Sequence, residues 1–314
     1  MFNLYIHTFS LRFRLRHQPD FDALAFIDLA AEEGFQGVCL SANGPNYRDL
    51  GSMEPSRFAE IAAHLAKRGL RCDLDTSGTD PAHLQTLLGV AQAVGAQKLR
   101  TYTRYSGTPD KLVAWSIRDL QAVAPLAAQM GITIMLENHE KLTGTEIRRI
   151  LTAVNSPFVG ALYDYGNSMM VLEDPYDALA QMAPFVRSAH LKDHVVVYGE
   201  DDELTIVGVP IGQGNIPILD ITQRLLSSGL RDIAYENVWA YAAPVQTQRL
   251  TPANQARVGQ GVFAYAAPPF DPRHILLEPD SFSPEQLVAL EWEAFQTSLR
   301  WLRQQFAALT PTTY

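Results

Sequence analysis

The sequence predicts an α/β fold, a (β/α)8 barrel, on three observations. Short β-rich runs alternate with longer helix-period segments eight times along the 314 residues, the rhythm of a single barrel domain over residues 1–314. Most of the helical segments open near Ser, Thr, Asp or Pro and close on Gly. No glycine-rich phosphate fingerprint follows the first strand, which weakens the runner-up, a doubly wound open sheet.

The units run as follows. FNLYIHTFS (2–10) is the first strand, followed by the helix FDALAFIDLAAEEG, closed by Gly34. FQGVCLSA leads into SRFAEIAAHLAKRG, from Ser56 to Gly69, and LRCDLDT leads into DPAHLQTLLGVAQAVG. QKLRTYTRY precedes a long helix from Pro109 to Met130. ITIMLEN is followed by TGTEIRRILTAVN, FVGALYDYGN by DPYDALAQMAPF, and VRSAHLKDH by IPILDITQRLLSSG. DIAYENVW is the eighth strand, and its helix lies around EQLVALEWEAFQTSLRWLRQQF. Two segments break the rhythm: a long connection at 195–215 after strand seven, and an Ala- and Pro-rich insertion at about 240–282 before the C-terminal helix. Loops of that length are often lids or oligomer arms.

Composition narrows the class. A hydrophobic content of 47% with 19% charged residues suits a packed core. A net charge of -9 and a pI near 5.4 argue against sequence-independent binding of a phosphate backbone. Cys39 and Cys72 are the only cysteines, which fits a reducing cytoplasm better than a disulfide scaffold. The arginines of LRFRLRH interrupt any signal-peptide core, and no apolar run is long enough to span a bilayer. A soluble cytoplasmic protein is expected.

In such a barrel the chemistry collects at the C-terminal ends of the strands. Strand five ends in Glu137 and His139, strand six in Asp164, strand seven in His190, Lys192 and His194, and strand eight in Glu236. Alternation predicts one shared face for His190, Lys192 and His194, and another for Glu137 and His139. Glu140 is expected only to begin an exposed turn. Three carboxylates converging beside one imidazole repel one another unless a cation sits among them. An oxygen-rich set with one His suits one divalent ion, Mn²⁺ first, then Mg²⁺, Co²⁺ or Zn²⁺.

These pieces resemble the xylose-isomerase-like TIM-barrel superfamily, which holds sugar isomerases and epimerases alongside apurinic-endonuclease-type members. LEN matches the family's first glutamate ligand with Glu137, YDYGN its Asp ligand with Asp164, AHLKD its His ligand with His190, and YEN its last glutamate with Glu236. GQGNIP, residues 212–217, resembles a G-x-G-x-x-P element opening the seventh helix. The resemblance implies a divalent metal that grips a hydroxy-ketone and stabilises an enediolate. In the ketose epimerases the two glutamates also move the proton, which makes Glu137 and Glu236 catalytic candidates here, with His139 beside them.

The sequence departs from the epimerases where substrate binds. Asn167 stands where they carry a His three residues after the Asp ligand, and Lys192-Asp193-His194 where an Arg is expected. Lys192, with Arg100 on strand four, suits an anionic group on the substrate, while Tyr102, Asn167 and His194 are expected to contact hydroxyls or relay a proton. The plain alternative pairs Lys192 with a neighbouring carboxylate and Arg100 with Asp73 or Asp75. A held substrate carboxylate favours loss of CO₂ from a 3-oxo acid, and the tail carrying YAAP and AAPPFDP resembles the 3-oxo-isoapionate decarboxylases. A sugar isomerase or epimerase of the ketose 3-epimerase or hydroxypyruvate isomerase kind is the alternative. DNA repair ranks last, because three zincs need more than the eight His of this acidic chain supply at the strand ends. The expected partners are a small sugar or sugar acid and further copies of the chain, as a dimer or tetramer, with neither nucleic acid nor membrane.

Overall fold

The computed structural model describes residues 2–198, 203–307 and 309. Eight parallel strands close a barrel: β1 (Asn3–His7), β2 (Gly37–Ser41), β3 (Arg71–Asp75), β4 (Lys98–Thr101), β5 (Thr133–Glu137), β6 (Val159–Asp164), β7 (Val186–Leu191) and, eighth in the barrel, β10 (Asp232–Tyr235). β1 pairs with both β10 and β2, so no barrel edge is left open. Among the described residues eight helices ring it: α2 (Ala23–Glu32), α3 (Pro55–Arg68), α4 (Pro81–Val94), α5 (Pro109–Met130), α6 (Gly144–Val154), α7 (Pro175–Met182), α8 (Ile218–Ser227) and α10 (Pro284–Phe306). The fold class read from the sequence is therefore correct.

Local chemistry explains the alternation. Parallel barrel strands are covered on both faces, and β6, VGALYD, is buried throughout. α6 starts on a capping box in which Thr143 and Glu146 satisfy each other's backbone N–H groups. Its Ile147, Ile150, Leu151 and Val154 recur at helical spacing and all point into the core. α10 begins on the same device, built from Ser283 and Gln286.

The structure differs from the sequence reading in two places. The first strand, read as residues 2–10, stops at His7, and Arg12–His17 forms a short helix, α1. Its free N–H groups explain the break: those of Phe13 and Arg14 donate, each at 2.9 Å, to the buried carboxylate of Glu291 on α10. The second difference joins the two segments outside the rhythm. β8 (Asp193–Tyr198) and β9 (Leu204–Val209) form an antiparallel hairpin, while residues 199–202 between them lie outside the described residues. From the later insertion, which also carries α9 (Pro252–Gln255), β11 (Ala242–Pro244) pairs with β9 and β12 (Tyr265–Ala266) with β8. The result is a four-stranded second sheet. Its alternation is two-sided: Val196 and Ile206 pack on the main core, while Val195, Val197, Val207 and Val209 gather around Ile275.

Among the described residues no helix is long and apolar enough to cross a membrane. Glu291→Ala leaves one buried and one half-buried backbone N–H group without an acceptor and is predicted to lower unfolding free energy by about 1–3 kcal/mol. The urea midpoint measures this; a midpoint within error of the parent would show that α1 does not depend on Glu291.

Candidate metal centre and active-site cleft

Every barrel strand places a polar side chain at or next to its C-terminal end: His7, Ser41, Asp75, Arg100, Glu137, Asp164, His190 and Glu236. All eight are buried, Asp164, His190 and Asp75 completely. Parallel register sets their neighbours, with Asp164 beside His190 and Asp75 beside Arg100.

The four residues expected to hold a metal converge. Glu137, Asp164 and His190 each offer a donor atom within 4.8 Å of the others. Glu236 Oε2 lies 3.6 Å from His190 Nδ1, and Glu137 Oε1 lies 3.5 Å from the same atom. Neighbouring groups leave the right atoms free. Asp164 Oδ1 accepts the backbone N–H groups of Gly166 and Asn167 at 2.9 and 2.8 Å, so Oδ2 faces the centre. Asn138 fixes the Asp164 backbone through both its side-chain atoms. Asn167 also reaches Glu137 Oε1 from its side chain at 3.4 Å. Asp164 Oδ2, Glu137 Oε2 and Glu236 Oε2 are buried, each within ion-pair distance of Lys192 or Arg100, and among the described residues His190 Nδ1 has no hydrogen-bond partner. Three carboxylates beside an imidazole nitrogen, with two fixed cations at their edge, form an oxygen-rich donor set that fits a divalent ion.

Asp75 and His7, which the sequence reading passed over, complete the arrangement. His7 Nδ1 accepts the Phe9 N–H at 2.9 Å, so its proton sits on Nε2, directed at Asp75 Oδ2 at 2.7 Å. The same Asp75 oxygen lies 3.5 Å from His190 Nε2. An Nε2–H facing Asp75 leaves the Nδ1 lone pair of His190 for an ion, the usual carboxylate support of a ligating histidine. Both residues end barrel strands, so the rule that found Glu137 applies equally to them.

Lys192 and Arg100 sit against the candidate ligands. Lys192 Nζ lies 2.8 Å from Asp164 Oδ2 and 2.6 Å from Glu236 Oε2. Arg100 Nη2 lies 2.5 Å from Glu137 Oε2, and its Nη1 donates to the Thr76 carbonyl. Pairing of Lys192 with carboxylates is therefore real, whereas Arg100 pairs with Glu137 and not with Asp73 or Asp75. A carboxylate oxygen has two lone pairs, so these contacts leave room for an ion. Burial alone would raise both glutamates, but Arg100 holds the Glu137 carboxyl well below its usual range, and Lys192 does the same for Glu236. Burial pushes Asp164 up to about 6, against the pull of Lys192.

The centre opens into a cleft of about 490 Å³ whose wall includes Tyr102, His139 and Asn167. His139 stacks on Tyr102 with ring centroids 3.7 Å apart, and burial lowers its imidazole to about 4. Glu140, expected in an exposed turn, also faces the cleft, where it accepts the Tyr241 hydroxyl from a left-handed backbone conformation (φ 36°). His194 is set apart. The chain breaks between β7 and β8 at Lys192, so His194 belongs to the second sheet and lies buried under Gly166, where an added Cβ would stand 2.2 Å from its Nδ1. It does not line the cleft wall. The GQGNIP run is positioned by Asp193, whose carboxylate accepts the N–H groups of Gly212, Gly214 and Ile216. A Cβ on Gly214 would meet Asp193 Oδ1 at 2.1 Å, which explains the glycine.

Comparison with known proteins agrees with this fold. The family described as xylose isomerase-like TIM barrel matches residues 27–259. The uncharacterized protein YihM of Escherichia coli (strain K12) is 26% identical over 226 residues, 72% of this chain and 69% of that one. The 3-oxo-isoapionate decarboxylase of Pectobacterium atrosepticum is 26% identical over 175 residues, 54% of this chain and 60% of its own. Among solved structures, D-psicose 3-epimerase with D-tagatose from Clostridium cellulolyticum H10 superposes with a TM-score of 0.65 at 13% identity, covering 96% of this chain and 98% of that one. A xylose isomerase-like TIM barrel protein from Mycobacterium smegmatis, in complex with magnesium, gives 0.60 at 16% identity over 94% and 98%.

If Asp75 orients His190 for an ion, Asp75→Asn is predicted to weaken Mn²⁺ affinity roughly 10- to 100-fold while all four ligands remain. Competition against a chelator measures this, and an unchanged affinity would remove Asp75 from the centre.

Proposed function

The chain belongs to the xylose isomerase-like TIM barrel family, and on that premise we propose a divalent-metal-dependent enzyme that removes CO₂ from a small 3-oxo sugar acid. The observation that carries this reading is the pairing of a four-donor centre with two buried cations at its edge. When bound by Glu137, Asp164, His190 and Glu236, the ion supplies Lewis-acid stabilisation of the negative charge that builds up as the carbon–carbon bond breaks.

The protein's own groups do the rest. An ammonium has three N–H groups, so the two ion pairs of Lys192 leave one for the substrate carboxylate. Among the described residues Arg100 Nε is buried without a hydrogen-bond partner, and it offers a second donor. Together they orient the carboxylate that departs as CO₂. Asn167 is placed to bond a hydroxyl, and the Tyr102–His139 stack forms a flat wall for the carbon chain. One proton must then replace the lost carboxylate. His139, neutral at pH 7, has one N–H and one lone pair and can pass that proton in from solvent.

A sugar isomerase or epimerase with the same metal set is the second reading, favoured by the epimerase structures that share the fold. It requires the two glutamates to exchange protons with a sugar carbon. Against that, Glu137 and Glu236 are each clamped by a fixed cation as well as turned toward the metal position. The 3-oxo-isoapionate decarboxylase similarity supports the first reading.

Purified protein supplied with Mn²⁺ and 3-oxo sugar acids is predicted to release CO₂. Absence of CO₂ together with deuterium exchange into a ketose would establish the second reading instead. Glu137→Gln is expected to lose both bound metal and turnover; retention of either contradicts the assignment.

A further inference from the structure

The cleft has a second charged region that the proposed chemistry leaves unused. Although the chain carries a net charge of -9, the cleft wall includes Arg12, Arg16, Arg48 and Arg104 in addition to Arg100 and Lys192. Arg48 is offset by Asp49 at 3.3 Å. Among the described residues no carboxylate lies within ion-pair distance of Arg12, Arg16 or Arg104. The other acids on this wall are engaged as well: Glu236 is paired with Lys192, and Glu140 is bonded by the Tyr241 hydroxyl.

Arg12 is the fixed member of the group. It opens α1, and its guanidinium carbon lies 4.3 Å from the Phe9 ring centroid and 4.5 Å from that of Phe13. Nη2 donates to the Trp239 carbonyl at 2.8 Å, and Trp239 is itself fully buried. The rings and the carbonyl hold the guanidinium in one orientation, which lowers the entropy lost when it binds an anion. Nη1, by contrast, is buried and has no hydrogen-bond partner among the described residues. A guanidinium N–H left in that state is a cost that an incoming anion removes.

We infer that Arg12, with Arg16 and Arg104 at the mouth, binds a second anionic group on the substrate, a phosphate monoester or a further carboxylate at the end remote from the reacting carbonyl. The substrate is then charged at both ends: one anion at Lys192 and Arg100, the other at Arg12. The inference rests on the proposed function for the reacting end alone, because Arg12 needs no metal to bind an anion. Arg12 lines the same cleft of about 490 Å³ as Arg100 and Lys192, so one ligand can meet both groups.

Calorimetric titration of the full-length protein with orthophosphate and, separately, glycolate tests this, with and without Mn²⁺. At least one anion is expected to bind, and Arg12→Met, which keeps the aliphatic stem between the aromatic rings, should weaken it roughly tenfold. Tighter binding of orthophosphate identifies a phosphate monoester, and tighter binding of glycolate a carboxylate. The exposed double variant Arg16→Ala/Arg104→Ala should weaken binding several-fold and flatten its salt dependence, which keeps the test decisive if Arg12→Met folds poorly. Equal affinity in parent and both variants, or no binding of either anion, overturns the inference. Binding that disappears with Mn²⁺ removal but survives Arg12→Met places the anion at the metal and overturns it too. Failure to bind Mn²⁺ with anion binding intact would count against the proposed function and leave the Arg12 site standing.

Discussion

Four buried carboxylates at one end of the barrel, Asp75, Glu137, Asp164 and Glu236, set what the rest of the structure must supply. Charges of one sign withdrawn from water repel strongly and cannot persist without cations. Arg100 and Lys192 provide two fixed cations for the four carboxylates. A divalent ion takes oxygen donors with one imidazole. The position of the cluster follows from the fold, since parallel strands in a closed barrel deliver their last side chains to one rim.

Several parts of the chain serve that rim without touching a substrate. Asp75 stands behind His190 and His7. Asn138 fixes the Asp164 backbone, while the Gly166 and Asn167 N–H groups hold one Asp164 oxygen and so turn the other inward. Asp193 gathers the 212–216 loop around its carboxylate immediately after Lys192. The short α1 helix, anchored by Glu291, brings Arg12 and Arg16 to the cleft. An acidic, neutralised interior and a basic mouth are thereby built from different segments, the first from strand ends and the second from loops and α1.

That division explains what the sequence made legible. Glu137, Asp164, His190 and Glu236 could be read because each ends a strand within a short recognisable run. His7 and Asp75 end strands too and were equally accessible to the same rule; they were passed over because YIH and CDLD carry no run that marks them. Arg12 and Arg16 lie beyond the strand read at 2–10, where no local pattern marked a helix; its anchor, Glu291, is 278 residues away from Phe13. The second sheet was not legible either: β8 and β9 pair with β11 and β12 more than thirty residues onward, and pairings that remote leave no local pattern. His194 shows the limit of strand periodicity, because one irregular residue at Lys192 moved it from the rim into another sheet.

Anomalous diffraction from a crystal grown with Mn²⁺ tests the central claim most directly. The account predicts one strong anomalous peak about 2.0–2.3 Å from oxygens of Glu137, Asp164 and Glu236 and from His190 Nδ1. No peak at that position, with Lys192 still bridging Asp164 and Glu236 as the only cation between them, would contradict it.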